Sequence, residues 1–390
     1  MPDSSLSLPL AMLLIFGSAK LMAELCERIG VPGLVGEMLA GAVIGPGLLG
    51  WVAPNETLHA LSDLGVMFLL FNVGLEVKAS ELMRVGGTAA VVATAGVIVP
   101  FVAGWGILIA WGAPHVEAMF VGAAMVATSV GITASVLSAR GLLNEVASKI
   151  ILTAAVIDDV LGLIVLAAVS AIARGRLSIL DISLTAAMAA GFTIIMAKWG
   201  TTAANRILPH FKSRARAQEA EFHIALVLLF ALALLAQYTG VAAIVGAFLA
   251  GLVLSDTADN RVRDLTKGVS ELLVPFFLVG VGLHFNLGVF SSRSTLFLAL
   301  LILAAAVVTK LIGCGLGAIT LGWQNMLKVG LGMVPRGEVG MVVAQLGLGM
   351  AVITAEIYTV VVFMVVATTI LTPLLLNIAF RAPAAPHSRV

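Results

Sequence analysis

The chain has 390 residues, of which 60% are hydrophobic and only 11% are charged, with a formal net charge of +1. A soluble domain carries about 25% charged residues, so the composition excludes a soluble globular protein and indicates a polytopic membrane protein. The small net charge gives no sign of a nucleic-acid partner or an acidic substrate. Cys26 and Cys314 lie far apart in apolar segments, which excludes a disulfide framework or a cysteine-based zinc site.

Thirteen apolar segments are predicted to cross the membrane as α-helices, and glycine and proline mark many of the breaks between them. The polar stretch 208–221 divides the chain near its middle. The predicted segments are 7–27, 33–52, 57–78, 85–112, 115–139, 146–173, 178–207, 218–239, 242–256, 264–287, 292–322, 325–350 and 355–381.

An odd number of crossings puts the two termini on opposite sides of the membrane. Most Lys and Arg residues outside the segments then fall on one side, whereas Arg174, Arg176 and Arg293 fall on the other. The positive-inside rule therefore predicts a cytoplasmic C-terminus and an N-terminus outside the cell.

Two stretches from the first half of the chain recur in the second half. Residues 30–45 and 240–255 share eight of sixteen positions, and residues 62–77 and 270–285 also share eight of sixteen. The glycines align too, so shared apolar composition is a poor explanation. Seven helices separate the members of each pair. The two copies, about 7–173 and 218–381, are therefore predicted to be inverted in the membrane, as in secondary transporters.

The segment 115–139 and its repeat mate 325–350 are predicted to be interrupted helices. The first contains Ala127-Thr-Ser-Val-Gly-Ile-Thr133 at its centre, and the second contains Val334-Pro-Arg-Gly-Glu-Val-Gly340. Clustered proline and glycine interrupt an α-helix, and the backbone groups freed there need partners, of which an ion can be one. We expect 335–340 to be non-helical and to cross the break in the first segment. A pair of ordinary kinked helices is the alternative.

The middle of segment 146–173 is apolar except for the adjacent pair Asp158 and Asp159. Counted from Val146, the pair lies about 18 Å along the helix, near the middle of a ~30 Å hydrocarbon core. A carboxylate there costs at least ~2.5 kcal/mol, so an intramembrane acid is a functional hypothesis by default. Neighbouring side chains on a helix point about 100° apart, so the two carboxylates cannot do the same job. A structural pair neutralised by a partner is the alternative.

Two further positions carry charge inside predicted segments. Lys310 matches the aspartate pair in depth, and a lysine there deprotonates or finds an acid. The aspartate pair is the obvious acid, and snorkelling of Lys310 to an interface is the alternative. Arg336 and Glu338 lie on either side of a glycine in 325–350, where we expect them to compensate each other or to cap the break. Glu37 and Glu76 lie near cytoplasmic helix ends and are expected in wet funnels.

Together these residues resemble those of the monovalent cation:proton antiporters, and within them those of the electrogenic sodium/proton antiporters of the NapA type. The resemblance covers nearly the whole chain, from about residue 8 to residue 380. It is carried by Ala127-Thr-Ser-Val-Gly-Ile-Thr-Ala134, Ala154-Ala-Val-Ile-Asp-Asp-Val-Leu-Gly162, Lys310 and Pro335-Arg-Gly-Glu-Val-Gly340.

The resemblance implies an all-α membrane protein of the NhaA-like antiporter fold, with about thirteen transmembrane helices, inverted repeats and two crossed discontinuous helices. It implies a core domain, about 57–173 and 264–381, that moves like an elevator against a dimerisation domain, about 7–52, 178–207 and 218–256. The implied protein is a homodimer in the inner membrane that exchanges Na⁺ or Li⁺ for H⁺ electrogenically and serves pH homeostasis. It is not an enzyme and uses no cofactor.

The resemblance also implies roles for single residues. Asp159 would be the main cation ligand and proton carrier, and Asp158 would pair with Lys310. Thr128 and Ser129 would lie beside the ion. The residues that would shape the broken helices are Val130, Gly131, Pro335, Arg336, Gly337 and Glu338.

Potassium-efflux relatives usually carry an amide in place of the first aspartate and a long nucleotide-binding tail. This chain has Asp158 and ends at Val390, which favours sodium over potassium.

The residues themselves suggest a mechanism of competition for one site. Na⁺ is a hard cation that prefers oxygen ligands, and ionised Asp159 with backbone carbonyls and hydroxyls supplies them. Protons compete for that carboxylate, so Na⁺ occupancy falls as pH falls. Exchange of two protons for one Na⁺ would carry net charge, with Asp158 or Lys310 supplying the second proton.

Other functions stay open beside this one. A K⁺/H⁺ antiporter would use the same chemistry. A Na⁺-coupled organic anion symporter could use a similar fold but would need a larger polar cavity, and a channel would not need Lys310 to neutralise the acids. An intramembrane aspartyl protease is disfavoured, because its two acids must face each other from different helices.

Overall fold

A computed structural model of the chain describes residues 7–29, 31–174, 179–203, 206, 219–285 and 292–380, and of Glu338 it describes the backbone only. Most of the polar stretch 208–221 therefore lies outside the described residues. The helices are α1 (Leu8–Arg28), α2 (Gly33–Ile44), α3 (Glu56–Glu76), α4 (Ala79–Trp111), α5 (His115–Val126), α6 (Val130–Ala139), α7 (Val146–Ala173), α8 (Ile179–Ile195), α9 (Ala220–Tyr238), α10 (Ala243–Leu254), α11 (Asn260–Leu283), α12 (Arg293–Gly317), α13 (Trp323–Gly332), α14 (Glu338–Gly349) and α15 (Ala355–Ala379).

The fold is all-helical across the described ranges, and nine of the helical spans there are long and apolar enough to cross a membrane, with α5 and α6 counted together. The repeat-related helices α2 and α10 have 12 residues each. At ~1.5 Å per residue such a helix is about 18 Å long, well short of a ~30 Å hydrocarbon core. The predicted segment 33–52 is too long, because Pro46 follows Gly45 and has no N–H with which to continue the helix.

Both segments that were predicted to be interrupted contain a non-helical stretch. Residues 127–129 separate α5 from α6, and residues 333–337 separate α13 from α14. The expectation of a non-helical 335–340 was wrong at its C-terminal end, because α14 already begins at Glu338. Pro335 explains the start of the break, since it lacks an N–H and disfavours helical geometry in the residue before it. Gly340 stays helical because a single glycine costs a helix only about 1 kcal/mol relative to alanine.

The helices approach one another most closely at glycines of the repeated stretches. A Cβ atom at Gly41 of α2 would lie 2.0 Å from the carbonyl oxygen of Val279 on α11, and one at Gly282 of α11 would lie 2.0 Å from that of Met38 on α2. The equivalent repeat positions, Gly251 of α10 and Gly74 of α3, face each other in the same way, at 2.1 and 2.3 Å from backbone oxygens. The same kind of contact therefore occurs twice, each time between one helix of the first repeat and one of the second, which supports the sequence match.

The contacts between helices bring both interrupted segments to α7. This helix touches α4, α5, α6 and α13. Helix α15 closes the other side, where it lies against α12, α13 and α14. The breaks therefore lie inside the bundle, where main-chain groups freed from helices can be tolerated.

The glycine contacts predict which small substitutions are destabilising. Gly41→Ala and Gly251→Ala should each cost about 1–3 kcal/mol, because the added methyl group would overlap main-chain oxygens that a side-chain rotation cannot move away. Gly106→Ala is the matched control, since a Cβ there meets nothing within 4 Å. Thermal unfolding in detergent should show a lower Tm for the first two variants only, and an unchanged Tm for Gly41→Ala would contradict the close approach.

Candidate functional site

The two breaks touch each other through their main chains. The backbone N–H of Ser129 donates to the carbonyl of Pro335 at 2.8 Å. The hydroxyl of Thr133, one turn further along α6, donates to the carbonyl of Gly332 at 2.7 Å. A Cβ atom at Gly337 would lie 2.6 Å from the Ser129 hydroxyl, so only glycine fits there without a shift of that side chain. The freed groups of one break thus find partners in the other.

Helix α7 passes beside this crossover. Ile151 packs on Gly332 at the end of α13, where an added Cβ would lie 2.4 Å from its side chain. A Cβ atom at Gly162 would lie 3.9 Å from the side chain of Val126 at the end of α5. Asp158 and Asp159 lie between these two contacts along α7, so both are at the level of the breaks.

The two aspartates have different surroundings, as their angular separation predicts. Asp158 is fully buried and contacts Lys310 of α12, whose Nζ atom lies 3.2 and 3.3 Å from the two carboxylate oxygens. Both side chains have no exposed surface, so Lys310 does not snorkel to an interface. Asp159 is half-buried. A Cβ atom at Gly96 of α4 would lie 3.3 Å from the Lys310 ammonium. The glycine thus leaves room on α4 for the lysine side chain.

A second cation, Arg336, lies in the crossover and is completely buried. Its guanidinium donates to the carbonyls of Ala306 at 3.1 Å and Met333 at 3.5 Å. It is close enough to Asp158 for the two charges to interact. We expected Arg336 and Glu338 to compensate each other or to cap the break. The guanidinium donates to a carbonyl of α12 and to one in the break itself, as a capping group would. The side chain of Glu338 lies outside the described residues, so its compensation of Arg336 stays a prediction.

Two threonines of α15 hold the main chain of Arg336, and the sequence analysis missed them. The backbone N–H of Arg336 donates to the hydroxyl of Thr368 at 3.2 Å, and the hydroxyl of Thr369 donates to its carbonyl at 2.7 Å. Both threonines are fully buried. A pair of polar residues in the middle of an otherwise apolar helix was the available signal.

Thr128 places an unused hydroxyl at the first break. Its side chain is 4% exposed, and its Oγ1 atom has no hydrogen-bond partner among the described residues. A buried polar atom left without a partner costs about 1–3 kcal/mol. The unused oxygen is thus a candidate ligand for a cation or a bound water.

Two cavities open along the same helices, one toward each end. The first, of about 360 Å³, is lined by Ser129 and Gly337 and so reaches the crossover. The second, of about 560 Å³, is lined by Ser135 of α6 and by Glu37 and Glu76. The two glutamates that were expected in funnels thus line one cavity together.

The two cavities are separated at the level of α6. Gly131 packs against Val66 of α3 and Phe277 of α11, and a Cβ atom there would lie 2.7 and 3.4 Å from those side chains. Val66 and Phe277 also line the first cavity, so this contact lies between the crossover and the second cavity at Ser135. The linings of these two cavities do not include Asp158 or Asp159.

Comparison with known proteins relates the whole chain to ion exchangers. A family model described as sodium/hydrogen exchanger, transmembrane, matches residues 12–382. The Na(+)/H(+)-K(+) antiporter GerN of Bacillus cereus is 35% identical over 380 residues, which are 95% of each chain. The high-affinity Na(+)/H(+) antiporter NhaS3 of Synechocystis is 32% identical over 420 residues, covering 95% of this chain and 89% of that one.

The fold is similar to that of a solved structure. The sodium proton antiporter MjNhaP1 of Methanocaldococcus jannaschii superposes with a TM-score of 0.70 at 19% identity, covering 95% of this chain and 93% of that one. At this identity the likeness concerns the fold alone.

The buried pair predicts a test of stability. Lys310→Ala leaves the Asp158 carboxylate buried without its partner, which should cost about 3–5 kcal/mol unless the acid takes up a proton. The paired change Asp158→Asn with Lys310→Gln should recover most of the loss, because no orphan charge remains. Tm in detergent at high pH, where the acid resists protonation, measures both.

A matched control is Arg28→Ala, which removes a cation that pairs with Glu24 at 2.9 Å while both side chains are more than half exposed. An exposed pair contributes only about 0–1 kcal/mol. The buried-pair prediction is wrong if Lys310→Ala lowers Tm no more than Arg28→Ala does.

Proposed function

The chain belongs to the sodium/hydrogen exchanger family, and on that premise we propose that it exchanges Na⁺ or Li⁺ for H⁺ across the cell membrane by alternating access. The observation that carries the proposal is the unequal pair on α7. Asp158 is neutralised by Lys310 at 3.2 Å in a site without exposed surface, whereas its neighbour Asp159 is half-buried at the level of two helix breaks. One acid is paired with a lysine, and its neighbour is the acid proposed to bind the ion.

Asp159 is proposed as the group that binds either the cation or a proton. Hard monovalent cations prefer oxygen ligands. The hydroxyl of Thr128, which has no partner among the described residues, and Ser129, which lines a cavity, supply oxygens at the same level. A carboxylate cannot hold a proton and a metal cation together, so protons displace Na⁺ as the pH falls.

Coupling requires that the protein changes its open side only when Asp159 is loaded. The core domain proposed for this movement is about 57–173 and 264–381, and the scaffold is about 7–52, 178–207 and 218–256, across thirteen membrane segments. The two cavities that run along α3, α6 and α11 support alternate opening, because they approach the level of α6 from opposite ends, one at Ser129 and the other at Ser135. A homodimer with a cytoplasmic C-terminus belongs to the same proposal.

Exchange is proposed to be electrogenic, as in antiporters of the NapA type. A buried lysine that loses its acid partner favours its neutral form. If Asp158 and Lys310 release one proton per cycle in addition to that of Asp159, two protons are exchanged for one Na⁺ and net charge crosses the membrane. The complete burial of the pair supports this, since its protonation depends on which ions occupy the neighbouring site.

Replacement of the proposed ion ligand should abolish exchange. Asp159→Asn keeps the shape of the side chain but can neither ionise nor carry a proton, so Na⁺-driven proton flux in proteoliposomes should fall to the level of empty liposomes. Glu24→Gln is the control, because this exposed acid on α1 pairs, among the residues that the structure describes, only with Arg28 one turn away. Normal exchange by Asp159→Asn would remove this residue from the site.

The source of the net charge can be tested separately. In the double variant Asp158→Asn with Lys310→Gln, Na⁺/H⁺ exchange should persist, but currents on a solid-supported membrane should vanish, because only one proton then moves per Na⁺. Undiminished current would exclude the pair as the second proton carrier.

A K⁺/H⁺ antiporter is the second candidate, favoured by one observation. The printed name of the Bacillus cereus relative, which is 35% identical, includes K⁺ as well as Na⁺. Parallel flux measurements with Na⁺, Li⁺ and K⁺ at one pH distinguish the two. The sodium proposal expects the half-saturating concentration to be lowest for Na⁺ or Li⁺.

A further inference from the structure

An apolar groove lies on the outside of α7, on the side away from the crossover. It has a volume of about 170 Å³ and lies between helices of the proposed core, α4 and α7, and helices of the proposed scaffold, α8 and α10. Its lining includes Leu82, Gly86, Ile157, Ile194, Phe248 and Leu252.

The surface of the groove is apolar, although two threonines line it. The hydroxyl of Thr153 donates to the carbonyl of Lys149, and that of Thr193 donates to the carbonyl of Ala189, at 2.7 and 2.9 Å. Each hydroxyl is thus used within its own helix. Ile194 at the rim is 57% exposed, so the groove is open to its surroundings. An ion or a polar solute would find no partner there, whereas an alkyl chain would.

The groove lies near one end of the helices, and that end is basic. Leu82 and Gly86 are within about 11 Å of the start of α4, at ~1.5 Å per residue, which places the groove in one leaflet. Lys78 and Arg84 are close enough to Glu81 for their charges to act on it.

Glu81 does not neutralise the two basic residues Lys78 and Arg84. The Lys149 ammonium lies 2.6 Å from its carboxylate, and their hydrogen bond holds the pKa of Glu81 below its usual value. Glu81 is therefore ionised and already has a partner. Lys78 therefore remains as excess positive charge one turn before Leu82, on the face of α4 that lines the groove. Arg84 is two residues from both Leu82 and Gly86, so it lies on the other face of the helix.

A third basic residue, Lys198, lies at the same end of the helices as the start of α4. A π-helical turn, Met196–Gly200, follows α8 and contacts α4. It carries Lys198, whose ammonium lies 4.9 Å from the centre of the Trp199 ring. Trp199 is 52% exposed, as expected of a tryptophan at the boundary between lipid and water.

We propose that this groove is a binding site for one acyl chain of an anionic phospholipid, whose headgroup lies against Lys78 and Lys198. The apolar lining selects an alkyl chain, and the excess basic charge at its mouth selects an anionic headgroup over a zwitterionic one. The lipid comes from the leaflet on the basic side. Because it lies between the two sets of helices that are proposed to move, the site would link lipid composition to exchange, a consequence that rests on the proposed function, whereas the binding does not.

Two adjacent glycines of α4 give a matched test of the acyl-chain site. Gly86 lines the groove, and Gly87 does not, yet a Cβ atom at either position meets nothing within 4 Å. Gly86→Leu should fill the groove without disturbing the fold, whereas Gly87→Leu adds the same side chain to another face of the helix. Native mass spectrometry of the detergent-purified protein with dioleoyl phosphatidylglycerol or dioleoyl phosphatidylcholine measures lipid binding directly.

We expect the wild type and Gly87→Leu to retain phosphatidylglycerol in preference to phosphatidylcholine, and Gly86→Leu to lose that bound lipid. Lys78→Gln should bind phosphatidylglycerol roughly fivefold more weakly, the contribution of one basic side chain near an anionic surface, and should leave phosphatidylcholine binding unchanged. Arg293→Gln, which removes a basic residue from the start of α12, is the control for charge.

Equal retention of the two lipids by the wild type would overturn the proposal. So would undiminished phosphatidylglycerol binding by Gly86→Leu, or an equal loss in Gly87→Leu. The readout is lipid binding and not ion flux, so failure here and failure of the proposed exchange are separate results.

Discussion

The structure depends on how the helix bundle stabilises a buried ion pair at the depth of the membrane interior. Asp158 and Lys310 have no exposed surface and lie 3.2 Å apart. Their pairing needs α7 and α12 to approach closely and needs α4 to present only glycine at position 96. The buried guanidinium of Arg336 adds a second cation near the same carboxylate and ties the crossover to α12 through Ala306. Separating the two partners of a buried ion pair strongly destabilises a protein. The pair therefore holds α7 and α12 in one arrangement.

That arrangement makes the neighbouring acid different from Asp158. One turn of α7 carries one carboxylate that is committed to a lysine and another, Asp159, that is half-buried at the level of the breaks. Main-chain groups of the breaks satisfy each other through Ser129 and Pro335. On the proposed function, binding of a cation or a proton at Asp159 would change the charge beside a fixed pair. A change of one unit is large in a low-dielectric interior, so ion occupancy would favour one position of the proposed core over another.

Much of this could be predicted from sequence, because the signals were strong and local. Charges in apolar segments singled out Asp158, Asp159 and Lys310. Clustered proline and glycine predicted the second break, and the internal repeat predicted the first. The end of the second break was misplaced, because glycine weakens a helix without ending it. Thr368 and Thr369 were missed, since threonine in an apolar helix commonly bonds its own backbone and gives no sign of a partner 32 or 33 residues away. The groove outside α7 could not be predicted, because residues from four separate helices line it and no local sequence motif marks it.

The most direct measurement is proton release when Na⁺ binds to the purified protein. In weakly buffered detergent solution near the pH at which half of the sites are protonated, addition of Na⁺ should acidify the medium, and the same concentration of choline should not. The account predicts that the apparent affinity for Na⁺ falls about tenfold for each pH unit below that point, because one carboxylate holds either the proton or the cation. Saturable Na⁺ binding without proton release, at an affinity independent of pH, would contradict it.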